Sequence, residues 1–416
     1  MDKYEQLEKK QKTKYKTRSK REKNKNNRTI KGQYKDLILP STTPPNIQKI
    51  SQRIQEKSAT SSYSPISSYS PISSYSPISS YSPTINQELI TIASLPRENI
   101  ESCNLEHAYQ LNEDLKIYVP NKHFHGECLE YYTPRAEAVL LKGLRANKHV
   151  DPNKIIPPIQ AKGNCWFNAM FVTFFISDKG RKFFHFLRQL MIKGTQKDKT
   201  PIPQNLRNAF ALLNFGIENC LQGTDFAYEL DTNSIIFDLF RKIPESYKEH
   251  YPDIVNVDDA GNPISYYTSI INYLNNNSIQ LLFLRYTNTT WKDTLANSIK
   301  EMSHLPHIIV IEFFEEDVKK INKKPQTFKV NNAKYQIDSA VVRDIEKEHF
   351  CATITCEGKE MGYDGMSFHR LVPFEWKKRI NSDNTWEFSG SNHANGTAMK
   401  WNFMKSYQLL IYYRVE

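Results

Sequence analysis

From about residue 95 to the end of the chain, apolar residues follow two different rhythms. In the first half they recur at i, i+3 and i+4, the spacing of one buried helix face. This predicts helices over 136–147, 165–175, 178–192, 204–221, 234–250 and 265–274. In the second half the segments are short, β-branched or aromatic, and separated by Asn, Gly and Lys clusters. They predict strands over 279–286, 307–314, 326–330, 335–342, 349–356, 360–364 and 407–414. Helices followed by an antiparallel sheet make an α+β domain. A cleft between two such lobes is a natural place for a site.

The first 94 residues have neither rhythm. Residues 1–40 form a basic tail, residues 41–94 a low-complexity linker, and 95–416 the folded domain. The linker carries the hexapeptide Ser-Ser-Tyr-Ser-Pro-Ile, repeated from Ser61 to Pro83. A proline in every repeat blocks helix, and the serines have nothing to bury, so this segment should be extended and mobile. Residues 1–35 hold 14 Lys and Arg against four acids, a net +10 out of +11 for the whole chain. The body is therefore nearly neutral. The tail could bind nucleic acid or serve as a nuclear address, but without interleaved aromatics the simpler reading is a solvated, disordered extension.

Composition narrows the class further. Hydrophobic residues make up 39% of the chain and charged residues 24%. No stretch approaches the ~18–20 apolar residues that span a bilayer, and the start of the chain lacks the apolar core of a secretory signal. These features predict a soluble, cytosolic protein with no membrane partner. The cysteines stand at 103, 128, 165, 220, 351 and 356, with no C-x-x-C pair, so a zinc ribbon is excluded. Six free thiols in a reducing compartment are expected, with neither metal nor cofactor.

The strongest local signal lies at Cys165. Gly163 and Asn164 make a turn into the apolar run Cys-Trp-Phe-Asn-Ala-Met-Phe-Val-Thr-Phe-Phe. The cysteine therefore starts a helix, where unpaired N–H groups and the dipole favour a thiolate. Gln160 lies five residues upstream, and its amide could curl back toward the sulfur. A side-chain N–H beside the Cys165 backbone N–H is what an oxyanion hole requires. The alternative is a small buried hydrophobe at a helix start.

A nucleophilic thiol needs a base. His185 sits among helix aromatics, and His250, His304 and His307 lie near element ends in ordinary surroundings. His349 opens an apolar strand, and after Glu357-Gly358-Lys359 a second strand leads to Asp364. Counted across the hairpin, Asp364 falls near the level of His349, where a carboxylate can orient the imidazole and stabilise its charged form. A plain hairpin with one polar residue at each end is the alternative. Trp166 and Tyr363 could line a channel but read mainly as core. Residues 389–396 read as an ordinary polar loop, with a substrate flap as the other reading.

Taken together, the order Cys, His, Asp resembles the papain-like superfamily, and within it the ubiquitin-specific proteases. Gln160, Gly163, Asn164, Cys165, Trp166 and Asn168 are similar to that family's Cys box. Leu305-Pro306 and the strand after it, the strand 335–342, His349-Phe350, Tyr363-Asp364 and the closing strand 407–414 follow in the family's order. Glu348 stands where the family usually has Gly, one residue is missing between Asn164 and Cys165, and the zinc-bearing fingers are absent. The Cys box also resembles the ovarian-tumour deubiquitinases, though Lys162 replaces their Asp and the gap to His349 is long for them.

The resemblance implies a papain-like fold, with a helical lobe carrying Cys165 packed on a sheet lobe carrying His349 and Asp364. It implies a thiol peptidase with Gln160 in the oxyanion hole, acting on ubiquitin or ubiquitin-like conjugates. Two other readings stand beside it. The repeat-bearing, Asn-rich composition resembles proteins of large DNA viruses, whose related peptidases process virion proteins. A catalytically silent domain that binds ubiquitin or nucleic acid is the third.

Overall fold

The computed structural model describes residues 99–416, apart from 106–108, 110, 112, 122–125, 161–162, 231, 248–262, 275–280, 287–290, 301, 303 and 319–322. The basic tail, the repeats and the expected boundary at 94/95 lie outside the described residues, as does His250.

The described residues open with a small hairpin, β1 (Lys116–Val119) and β2 (Glu127–Glu130), followed by α1 (Pro134–Ala146). Then come α2 (Cys165–Phe175), α3 (Asp178–Phe183), α4 (His185–Lys193), α5 (Arg207–Gln222), α6 (Asp225–Tyr228), α7 (Thr232–Lys242) and α8 (Pro263–Tyr273). The second half runs β3 (Leu281–Tyr286), α9 (Trp291–Lys300), β4 (Ile308–Phe313), α10 (Glu315–Val318), β5 (Thr327–Val330) and β6 (Ala333–Arg343). It ends with β7 (Phe350–Cys356), β8 (Lys359–Tyr363), β9 (Leu371–Pro373) and β10 (Gln408–Arg414).

Among the described residues, eight of these strands form one sheet in the order β3-β4-β10-β6-β7-β8-β9, with β5 on the other half of the β6 edge. Strand alternation then builds two cores. Leu409, Ile411 and Tyr413 of β10 face the helices, while Leu410 and Tyr412 face the opposite layer. The helical side is centred on α2, every residue of which is buried. A helix apolar all round can only be stable when surrounded. The opposite face is covered by α9, through Leu295 and Ile299, and by residues 374–407, which contribute Trp376, Trp386, Phe388, Trp401 and Phe403 to the core without forming a helix or a strand.

The α+β expectation fits this mixture of helices and sheet, with four corrections. The sheet is not wholly antiparallel: β3 pairs parallel with β4, and α9, which the sequence did not announce, is the crossover that parallel neighbours need. The helix expected over 178–192 is two helices, broken at Phe184, whose ring stacks on Phe174 at 4.4 Å in the core. The helix expected over 234–250 ends at Lys242, two residues before Pro244, which cannot donate to the next turn.

The last correction concerns the thiols. Cys103 and Cys128 form a disulfide, leaving four free cysteines among the described residues rather than six. The unforeseen β1–β2 hairpin explains the pairing. Cys128 lies opposite Tyr118 on one side of β1, while Ser102 bridges Ile117 on its other side and the Cys103 N–H donates to the Lys116 carbonyl. The two Cα atoms come within 6.0 Å, a separation that a disulfide spans.

Candidate active site

Cys165 is the first residue of α2 and is 9% exposed. The turn before it is fixed by a buried chain of amides. Asn164 Nδ2 donates to Thr232 Oγ1 at 2.7 Å, and the Thr232 hydroxyl donates to Asn168 Oδ1 at 2.6 Å. Asn164 and Asn168, noticed in the sequence only as motif positions, thus tie α2 to α7.

His349 precedes β7 and is 1% exposed. Its backbone is held by Asp344, whose carboxylate accepts the N–H groups of Glu348 and His349, each at 2.6 Å, and of Glu346 at 2.9 Å. The Asp344 N–H donates back to the His349 carbonyl at 2.7 Å. Sequence reasoning missed this residue. An aspartate five positions before a histidine is a common pattern, and only the turn makes it a clamp.

Asp364 follows β8 and is fully buried. Its Oδ1 lies 2.5 Å from His349 Nε2. The β7–β8 register pairs Ala352 with Tyr363, so Asp364 continues opposite Cys351 rather than His349. The bond to the imidazole is therefore diagonal across the hairpin, within reach because alternate residues share a face. Two further donors hold the carboxylate: the Met366 N–H at 3.1 Å and the Ser391 hydroxyl. Ser391 belongs to the 389–396 segment, so that segment is part of the site rather than an ordinary loop. The Trp401 ring stands edge-on to the imidazole at 5.9 Å.

With Nε2 on Asp364, Nδ1 is the ring nitrogen left for the thiol, and Cys165 lies near enough to favour the charged form of the imidazole. Burial works against a charged ring, but the Asp364 carboxylate, with Cys165 assisting, outweighs it and raises the His349 pKa to about 10. Burial pushes Cys220 and Cys356 up to about 12 and Cys351 well above the usual thiol range, so all three stay protonated at neutral pH.

Gln160 is fixed by its backbone N–H, which donates to the Gly365 carbonyl at 3.0 Å, next to Asp364. Two segments far apart in sequence, 160–165 and the hairpin 349–364, thus meet. Trp166 and Tyr363 are core residues, at 2% and 1% exposure. His185 starts α4 and His307 precedes β4, both apart from the His349–Asp364 pair in the fold, and burial pulls both toward the neutral form. Two surface cavities of about 330 and 370 Å³ lie elsewhere, at His149–Lys154 and at Asn381–Lys405. Among the described residues, no group of three His, Cys, Asp or Glu side chains is placed to hold a metal ion.

No protein-family model matches the sequence, and no curated protein matches it. Among solved structures, an essential yeast splicing factor is similar at 11% identity, covering 73% of this chain and 84% of that one, with a TM-score of 0.39. The SAGA DUB module Ubp8/Sgf11/Sus1/Sgf73 bound to monoubiquitin is similar at 9% identity, covering 67% of this chain and 75% of that one, with a TM-score of 0.39. The same module bound to ubiquitin aldehyde gives 10%, 67% and 75%, with a TM-score of 0.40. Similarity this distant leaves the chemistry to be argued from the site itself.

Proposed function

We propose that this chain is a cysteine peptidase that hydrolyses isopeptide or peptide bonds, with ubiquitin or a ubiquitin-like modifier as the group removed. The observation that carries the proposal is the buried line of Cys165, His349 and Asp364, with the thiol at a helix start and the imidazole 2.5 Å from a carboxylate. A simple hairpin with polar ends does not account for a buried imidazole held 2.5 Å from a fully buried carboxylate.

In this mechanism Asp364 orients His349 and stabilises its charged form, so that Cys165 reacts as a thiolate. The sulfur attacks the carbonyl carbon, and the resulting oxyanion is held by the Cys165 backbone N–H and the Gln160 side-chain amide. When the tetrahedral intermediate collapses, His349 gives its proton to the leaving amine and the C–N bond breaks. Water, deprotonated by the now neutral imidazole, then attacks the thioester and returns the thiol. The choice of modifier rests on the ubiquitin-specific protease order of motifs along the sequence.

A ubiquitin probe bearing a C-terminal electrophile tests this reading. A covalent adduct mapped to Cys165 and lost in Cys165→Ala is expected. Iodoacetamide labelling of Cys165 without ubiquitin labelling would keep the peptidase and remove the modifier. If Cys165 alkylates no faster than an ordinary thiol, the peptidase reading fails.

A further inference from the structure

The segment leading to Cys165 is sewn to the Asp364 region residue by residue. Pro157 and Pro158 have no N–H to donate, so their carbonyls are the main-chain groups they offer to neighbours. Arg370 Nη1 donates to the Pro157 carbonyl at 2.6 Å, and the Tyr363 hydroxyl donates to the Pro158 carbonyl at 2.7 Å. Asn168 Nδ2 takes the Ile159 carbonyl at 3.2 Å, and the Gln160 N–H reaches the Gly365 carbonyl at 3.0 Å. Three of these four partners, at 363, 365 and 370, flank Asp364 in sequence. Arg370 is tied to Asp364 directly, since the Asp364 N–H donates to its carbonyl at 3.0 Å.

Close packing reinforces the seam. A Cβ on Gly365 would stand 2.9 Å from the Tyr363 hydroxyl and 3.0 Å from the Gln160 nitrogen, so only glycine lets the two segments lie this close. Tyr363 is 1% and Arg370 9% exposed, which makes these buried bonds rather than surface contacts.

We infer that Tyr363 and Arg370 are positioning residues that set the placement of Gln160, and with it the oxyanion side of the site, relative to the His349–Asp364 pair. The inference rests on the peptidase reading. The two residues touch no reacting atom, yet they join the half that polarises the carbonyl to the half that moves the proton. Misplacing a polarising group by an ångström is enough to slow acyl transfer severely. The attack of the thiolate on an alkyl halide makes no oxyanion and is indifferent to that placement.

The test compares two reactions of Cys165 in the full chain: acylation by p-nitrophenyl acetate, which passes through an oxyanion, and alkylation by iodoacetamide, which does not. In Tyr363→Phe, acylation is expected to fall roughly 10-fold to 100-fold while alkylation changes by less than about 3-fold. Arg370→Lys keeps the charge but not the planar reach, and should show the same split if Tyr363→Phe folds poorly. Equal losses in both reactions, or unchanged acylation in a folded variant, would overturn the inference and leave the peptidase intact. A wild-type Cys165 that gives neither reaction above the Cys165→Ala background removes the peptidase reading itself, and this inference with it.

Discussion

The two faces of the central sheet are covered by different kinds of structure. On one face lie helices whose backbone groups pair within each helix, with α2 buried at their centre. On the other, alongside α9, lies the irregular stretch 374–407, whose backbone is satisfied piecemeal, as in the Trp386–Trp401 bridge and the Met399 N–H on the Ser391 carbonyl. Five large aromatic side chains anchor it instead. The helical layer supplies Cys165, the sheet supplies His349 and Asp364, and the irregular layer supplies Ser391 and Trp401 behind them. A segment without regular structure can therefore be as fixed as a helix when aromatic burial and a few polar bonds pin it.

The His349–Asp364 pair sits where these layers meet, and under the proposed mechanism the largest effect is expected there. Asp364→Asn should lower turnover by up to about 10⁴-fold, the cost of losing the orienting carboxylate in an analogous triad. The alkaline limb of the pH–rate profile, placed toward 10 by the raised His349 pKa, should also move toward the ordinary imidazole value. A limb that stays in place in the Asn variant would mean that Asp364 does not hold the charge on His349.

A smaller pair of effects separates the layers. Ser391→Ala frees one oxygen of the Asp364 carboxylate and should cost roughly 10-fold in kcat with KM unchanged, because the lost bond acts on proton transfer. Thr232→Val breaks the Asn164–Thr232–Asn168 chain on the helical side. It should cost about 1–3 kcal/mol of stability in denaturant titration, with a smaller change in kcat per folded molecule. If Ser391→Ala loses only stability, the irregular layer is packing and nothing more.

A separate effect, on stability alone, concerns the joint between α3 and β6. Asp338 is buried, and that burial raises its pKa to about 6 although Ser177 and the Lys179 N–H favour its charged form. A raised carboxyl pKa means that this group's contribution to stability is fully present below its ordinary value near 3.8 and is lost as pH rises through 6. Relative to wild type, Asp338→Asn should therefore gain about 2–3 kcal/mol between pH 4 and 7.5. A difference that is flat across this range would show that the carboxylate is better solvated than its burial implies.

Much of this architecture was legible in the residues. The bounds of α2 followed from an unbroken apolar run after Gly163-Asn164, and β7 and β8 from their alternation around Glu357-Gly358. The same features singled out Cys165, His349 and Asp364, because a helix start and a hairpin place side chains by local rules. Local rules say nothing about pairs far apart in sequence. The disulfide spans 25 residues, the Ser391–Asp364 bond 27 and the Tyr363–Pro158 bond 205. The irregular layer was invisible for a related reason: aromatics at irregular spacing have no period to detect.

By itself, then, the sequence determined α2, β7 and β8 and which thiol begins a buried helix, since hydrophobic period and turn residues act over a few positions. Only the tertiary structure decided that Cys165 meets an imidazole held by Asp364, that the polar segment around Ser391 braces that carboxylate, and that Cys103 is bound to Cys128. Those outcomes depend on sheet order and on which face of each strand is covered, and both are settled by packing of the whole domain rather than by any local stretch of chain.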